Sequence, residues 1–209
     1  MFGIENYTSF VLAGILLNIT PGNDSIYIVS RSISQGRKAG VLSVCGIGCG
    51  ALVHIGFAAL GLSSILATSS VAFAVVRYIG AAYLIFMGVS ILRSRSRDGL
   101  KIDDSNRPIS YGRIFRQGFF TNLLNPKVAL FFLSFLPQFV SPANGHGAVP
   151  FLILGLTFLA TGTLWCFFLA WSAASLSKSL RKNSRIATWL QKSCGAIFIL
   201  LGLRVALKE

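Results

Sequence analysis

The chain is 209 residues long, 54% hydrophobic and only 12% charged, with a mean hydropathy of +0.70. Soluble domains average about 25% charged residues, so this composition excludes an ordinary water-soluble globule. It fits a hydrocarbon core about 30 Å thick, which asks for roughly 20 apolar residues per helix. The formal charge of +13 would point to nucleic acid in a soluble protein, but here the cations fall between apolar stretches and no nucleic-acid partner is expected.

The N-terminus carries an acid at Glu5 and no basic run before the first apolar stretch, so a cleaved signal peptide is not expected. Apolar runs of spanning length cover 7–30, 40–66, 71–92, 115–140, 149–176 and 187–206. These are six transmembrane helices of an all-α, polytopic membrane protein. The second and third are joined by a neutral turn, Ala67-Thr68-Ser69-Ser70, and their separation rests on length. Arg31, Arg37 and Lys38 follow the first span; Arg93, Arg95, Arg97, Lys101, Arg107 and Arg113 follow the third; Lys178, Arg181, Lys182 and Arg185 follow the fifth. The two intervening loops carry no Lys or Arg. Cytoplasmic loops are the ones enriched in these residues, so both termini are expected outside. Arg77, Arg204 and Lys208 are exceptions whose long side chains can snorkel to the interface.

The two halves of the chain echo each other. Phe10, Gly14, Asn18 and Pro21 in the first span recur in order as Phe115, Gly118, Asn122 and Pro126 in the fourth. Gly80-Ala81-Ala82-Tyr83-Leu84-Ile85-Phe86-Met87-Gly88 in the third span is matched by Gly195-Ala196-Ile197-Phe198-Ile199-Leu200-Leu201-Gly202 in the sixth. Three spans per half make the second half start on the opposite face. The organisation expected is two inverted three-helix repeats, 1–92 and 115–209, joined by a basic cytoplasmic loop, 93–114. In such folds, paired Pro- or Gly-interrupted spans mark the substrate site near the midplane.

Those interrupted spans are the first and fourth. Pro21 removes a helix hydrogen bond and Gly22 loosens the chain, so carbonyls near Asn18 and amides near Asn23 and Asp24 become free to bind a solute. Irregular backbone at this depth needs protein or a water-filled cavity around it, and Asp24 at a helix centre would cost about 2.5–3.5 kcal/mol without compensation. In the fourth span, Asn122, Asn125 and Pro126 form the matching break and Lys127 supplies the opposite charge. One reading is a buried Asp24–Lys127 pair that only registers the halves. The favoured one is a site for a zwitterion, with Lys127 or a half-helix N-terminus holding its carboxylate. Asp24 then holds the ammonium group or a coupling proton. Asn18 and Asn122 either contact substrate or cap freed backbone.

Two other chemistries compete with this one. Cys45 and Cys49 share a face of the second span and suggest a membrane thiol carrier, yet no cysteine neighbours Pro21 or Pro126, and Cys166 and Cys194 also sit in apolar stretches. His54 shares that span, which raises metal transport, but it falls roughly 140° from Cys49 and 180° from Cys45 around the helix, so packing is its expected role. His146 lies in an outer loop. Gly46 and Gly50 have the small-xxx-small spacing of close helix packing.

Thr20-Pro21-Gly22 with Asp24, then Ser32 through Gly36-Arg37-Lys38-Ala39-Gly40, and Gly80-Ala81-Ala82-Tyr83-Leu84, resemble the first-half signature of the LysE/RhtB family of amino-acid exporters. Gln117-Gly118-Phe119 through Asn122-Leu123-Leu124-Asn125-Pro126-Lys127 to Phe135-Leu136-Pro137-Gln138-Phe139 resembles its second-half signature. The family usually has Pro-Gly-Pro where this chain has Pro21-Gly22-Asn23, which puts substrate choice in question. The resemblance implies export of a small amino acid or derivative, by exchange with protons, from the bacterial cytoplasmic (inner) membrane. No enzyme activity and no cofactor are implied; the lipid bilayer is a partner, and a homodimer is a candidate assembly.

Overall fold

The computed structural model describes residues 2–93, 109–141 and 147–182, with positions 192, 196, 199, 200 and 203 beyond them. Apart from those five positions the sixth expected span lies outside the described residues, as do Cys194, His146 and most of the basic loop. The described chain is helical throughout, apart from a single antiparallel bridge between Ile4 and Val140.

Helix α1 (Tyr7–Ile19) is an apolar run without Gly or Pro except Gly14, and the proline at position 21 ends it. A residue before proline is pushed out of the helical region, and Thr20 is extended, with ψ at 121°. Gly22 continues the extended path and α2 (Asn23–Phe57) begins. Inside α2, Gly36 sits at φ 80°, ψ 179°, backbone that favours glycine. A Cβ on Gly40 would run into the side chain of Ser32. In one straight helix eight residues rise about 12 Å, so the chain doubles back at Gly36. The first expected span therefore runs on as helix past residue 30, and the second begins at once.

A π-helical stretch, Ala58–Leu62, then α3 (Ser63–Thr68) complete that second span. Ser69 is extended and its hydroxyl accepts from the Ala72 amide at 3.0 Å, starting α4 (Ser70–Arg93). The soft boundary between the second and third spans is thus a break at one serine. Helix α5 (Tyr111–Leu123) and α6 (Pro126–Phe135), with a 3-10 turn over Leu136–Phe139, are bent by 48°. The cause repeats that of the first break: Asn125, before Pro126, is extended with ψ at 108°. The last described helix is α7 (Val149–Lys182). Among the described residues, 23–68 and Val149–Ala173 are long and apolar enough to cross a membrane, and the bent α5–α6 pair passes the same test as one unit.

Without a hydrophobic force between lipid-embedded helices, close contact and van der Waals packing must hold them. Helix α2 lies chiefly against α5 and α7. A Cβ on Gly50 would lie 2.8 Å from the Phe119 carbonyl oxygen, one on Gly118 2.8 Å from that of Ser43, and one on Gly46 would meet the Phe115 carbonyl. The expected close approach at Gly46 and Gly50 is therefore backbone on backbone, against α5. A second mass of packing is aromatic: Phe131 of α6 lies 4.6 Å from Phe135 and 4.4 Å from Phe158 of α7, centre to centre, and Phe10 of α1 lies 5.5 Å from Phe135. These two contacts set the broken ends of α1–α2 and α5–α6 side by side.

Candidate functional site

Proline at position 21 leaves the Leu17 carbonyl without its helical donor, and proline at 126 does the same to Asn122. Each is met by a basic side chain from another span. Lys127 Nζ donates to Leu17 O at 3.5 Å and to Thr20 O at 3.3 Å, at the negative end of the α1 dipole. His54 Nε2 lies 3.3 Å from Asn122 O. A carbonyl only accepts, so Nε2 is the protonated nitrogen. The His54 ring stacks on Phe132, 5.9 Å between centres, and the residue is buried.

Asp24 stands in the first turn of α2, where the helix dipole favours a carboxylate. Its Oδ2 accepts from Asn122 Nδ2 at 2.7 Å and its Oδ1 from Asn125 Nδ2 at 3.2 Å. Asn125 also caps α6, its Oδ1 accepting from the Lys127 amide at 3.1 Å. One side chain thereby starts a helix and grips the opposite break. Asn122 Oδ1 is buried and has no hydrogen-bond partner among the described residues. Asn18 Nδ2 donates to Thr161 Oγ1 at 3.2 Å and to Phe158 O at 3.4 Å, tying α1 to α7.

A cavity of about 80 Å³ opens among these groups. By the measure in which one water needs about 10–15 Å³, it has room for several waters. Asn18, Gly22, Asp24, Asn122, Asn125 and Lys127 line it, and the Lys127 side chain passes over Gly22, whose missing Cβ would sit 3.5 Å from Nζ. Apolar side chains, among them Leu17, Val44, Ile47, Ala51, Val128 and Leu159, make up much of the rest of its lining. Asn23, grouped with these residues from the sequence, lines a different and wider groove with Arg31 and Arg113. Pro21 and Pro126 act through the backbone they interrupt.

The spacing did not disclose several participants. His54 packs, as expected, but against the Asn122 carbonyl, which also accepts from the Asn125 amide at 2.9 Å; the signal available was that Pro126 removes the amide that would donate to the residue four before it. Thr20, Gly162 and Cys166 also line the cavity. No cysteine neighbours the prolines in sequence, yet the fold carries Cys166 of α7 to the same space. Among the described residues no group of His, Cys, Asp and Glu has the makings of a metal site.

A model of LysE type translocators matches residues 15–209. A membrane protein of Pseudomonas aeruginosa is 30% identical over 207 residues, covering 98% of this chain and 96% of its own length. The leucine efflux protein of Salmonella typhimurium is 29% identical over 206 residues, with 98% and 96% covered, and a membrane protein of Vibrio cholerae is 28% identical over 203 residues, with 97% of each covered. No solved structure matches the chain. Two proline-broken helices whose freed carbonyls are answered across a polar cavity thus occur in a chain related over its full length to membrane proteins, and that chain belongs to the LysE family of translocators.

Proposed function

We propose that the protein exports a small apolar amino acid across the bacterial cytoplasmic membrane in exchange for protons. In this reading it is a six-span secondary transporter, with both termini outside. Its inverted repeats, 1–92 and 115–209, are joined by the cytoplasmic loop 93–114. The cavity between the two breaks carries the proposal, because its lining combines two kinds of group. It offers a carboxylate, an ammonium group and carboxamides together with aliphatic side chains such as Val44, Ile47, Ala51 and Leu159. A zwitterion with an apolar side chain matches both kinds. The name of the Salmonella relative, a leucine efflux protein, agrees with that cargo.

In the mechanism proposed, Lys127 turns from the Leu17 and Thr20 carbonyls to the substrate carboxylate. Asp24 takes the substrate ammonium group or a proton in turn, and Asn122 and Asn125 steady whichever form it holds. The two occupants exclude each other at one carboxylate, which is the condition for exchange. Asn18 and Gly22 border the path, and Asn23 and Pro21 shape the turn that leads to it.

The test is uptake of labelled amino acids into inside-out vesicles, with and without an imposed proton gradient. Leucine-like substrates should accumulate with the gradient and lysine should not. Loss of a hydrogen-bonded charge costs about 1.5–3 kcal/mol, so Asp24→Asn should lower gradient-driven uptake roughly ten- to a hundredfold. Uptake that is unchanged in Asp24→Asn, and equally driven by protons, would sink the proposal.

A further inference from the structure

On the side of the α2–α5 seam away from the cavity lies a second, open groove of about 830 Å³. Its α5 wall is one face of the helix, since Arg113, Arg116, Phe120 and Leu124 recur every three or four residues. Along that face the chemistry changes in order. Arg113 and Arg116 are exposed, Gln117 comes next, and Phe120 (52% exposed) and Leu124 (75%) complete a track about 16 Å long. From α2, Arg31 reaches across, donating to Gln117 Oε1 at 3.4 Å and lying 5.7 Å over the Tyr27 ring. Tyr27 is fixed by its hydroxyl, which donates to Ile114 O at 2.8 Å. None of the described residues lining the groove is acidic.

We propose that this groove binds an anionic phospholipid, its phosphate on Arg31, Arg113 and Arg116 and an acyl chain along Phe120 and Leu124. Guanidinium groups match phosphate oxygens in pairs, and the exposed apolar pair Phe120 and Leu124, about 6 Å along the helix beyond the arginines, suits the start of a hydrocarbon chain rather than a small soluble anion. The arginine end also lies at headgroup level by an independent sign. Lys38 sits 4.6 Å over the Tyr111 ring and Arg37 sits 4.4 Å over Trp171, which is itself exposed. Tyr and Trp beside cations mark the membrane–water interface. A second copy of the chain fits less well, because a two-fold contact through this patch would set arginines against arginines. The lipid would end beside Leu124, at the very turn that separates α5 from α6, and so would steady one of the two breaks.

The full-length protein in neutral detergent is titrated with phosphatidylglycerol, phosphatidylcholine of the same chain length, or inorganic phosphate, and retained lipid is counted by native mass spectrometry. Phosphatidylglycerol should be retained in preference, and phosphate should compete poorly. At about 1 kcal/mol per cation near an anionic surface, R113Q/R116Q should weaken retention about thirtyfold, or about 2 kcal/mol at about 1.4 kcal/mol per tenfold. R113K/R116K should recover part of it, and Asp24→Asn should bind lipid as the native chain does. Equal retention of the two lipids by the native chain overturns the proposal, which keeps the test decisive even if the glutamine variant fails to fold. So does a folded R113Q/R116Q that retains lipid unchanged, free phosphate competing as well as the lipid, or loss of a dimer in that variant with lipid retention intact.

Discussion

Four glycines on α2 allow a graded test of the seam that holds the site. Alanine in place of glycine favours a helix by about 1 kcal/mol, so the sign of each substitution depends on what the new Cβ meets. At Gly56 nothing lies within 4 Å, and at Gly48 the nearest atom is Leu159 Cδ1 at 4.0 Å, an ordinary contact. Both substitutions should leave the fold as stable as before or slightly more so. At Gly50 the Cβ would lie 2.8 Å from the Phe119 carbonyl oxygen and 3.0 Å from both Asn122 Cβ and Oδ1. Gly46 is tighter still, against the Phe115 carbonyl. Backbone cannot swing aside as a side chain can, and overpacking of this kind costs about 1–3 kcal/mol. Net of the helix gain, Gly46→Ala and Gly50→Ala should destabilise by up to about 2 kcal/mol, read as a lower unfolding temperature in detergent. Gly50→Ala should also lower transport more than its stability loss explains, because it displaces Asn122 from Asp24. Gly48→Ala keeps stability but narrows the cavity, and should discriminate against the larger apolar substrates. Melting temperatures that are the same for all four variants would refute the close backbone seam.

Other perturbations test the same geometry. His54→Ala leaves the Asn122 carbonyl with fewer donors and removes a stacked ring from Phe132; it should cost about 2–4 kcal/mol of stability, measured by unfolding, while His54→Gln should restore part of it. Gly36→Ala puts a Cβ on a residue at φ 80°, ψ 179°, and at about 1–3 kcal/mol for backbone that only glycine adopts readily it should lower the melting temperature while leaving substrate selectivity untouched. Lys127→Met keeps the side-chain length but removes the ammonium group that donates to the Leu17 and Thr20 carbonyls, so apparent substrate affinity should fall at least tenfold; unchanged affinity would remove Lys127 from the carboxylate's path.

Periodicity and composition made the long apolar helices legible where a physical length limit applied. The two breaks were legible because proline acts on its own neighbours: Thr20 and Asn125 are extended for the same local reason, whatever surrounds them. The π-helical stretch at Ala58–Leu62 left no comparable mark, since no residue there is barred from an ordinary helix. A reversal between residues 30 and 40 was expected, but not that helix would run up to Gly36 and resume directly after it, because one glycine among polar residues is compatible with a long loop or a sharp turn. For the site, opposite charges near the two prolines pointed to the right region. They did not reveal that Asn122 and Asn125 would hold Asp24, or that His54 and Lys127 would reach the carbonyls beside the two prolines, because those pairings depend on how α2 crosses α5. Asn23 illustrates the same limit: adjacent to Asp24 in sequence, it faces the outer groove, as successive helical residues about 100° apart must diverge.

The mutual dependence of the two breaks also bears on how the protein is made. Asp24 is held by Asn122 and Asn125, and the carbonyls of Leu17 and Thr20 accept from Lys127. About 100 residues separate Asp24 from Lys127, which at about 5–20 residues per second take roughly 5–20 s to synthesise. Throughout that interval the nascent first half lacks the contacts from Asn122, Asn125 and Lys127 that the finished fold gives it. It is then at its most exposed to membrane proteases and to wrong helix partners. A chain cut short before residue 122 would never leave that state, so the polar cluster marks an unfinished protein as surely as it equips a finished one.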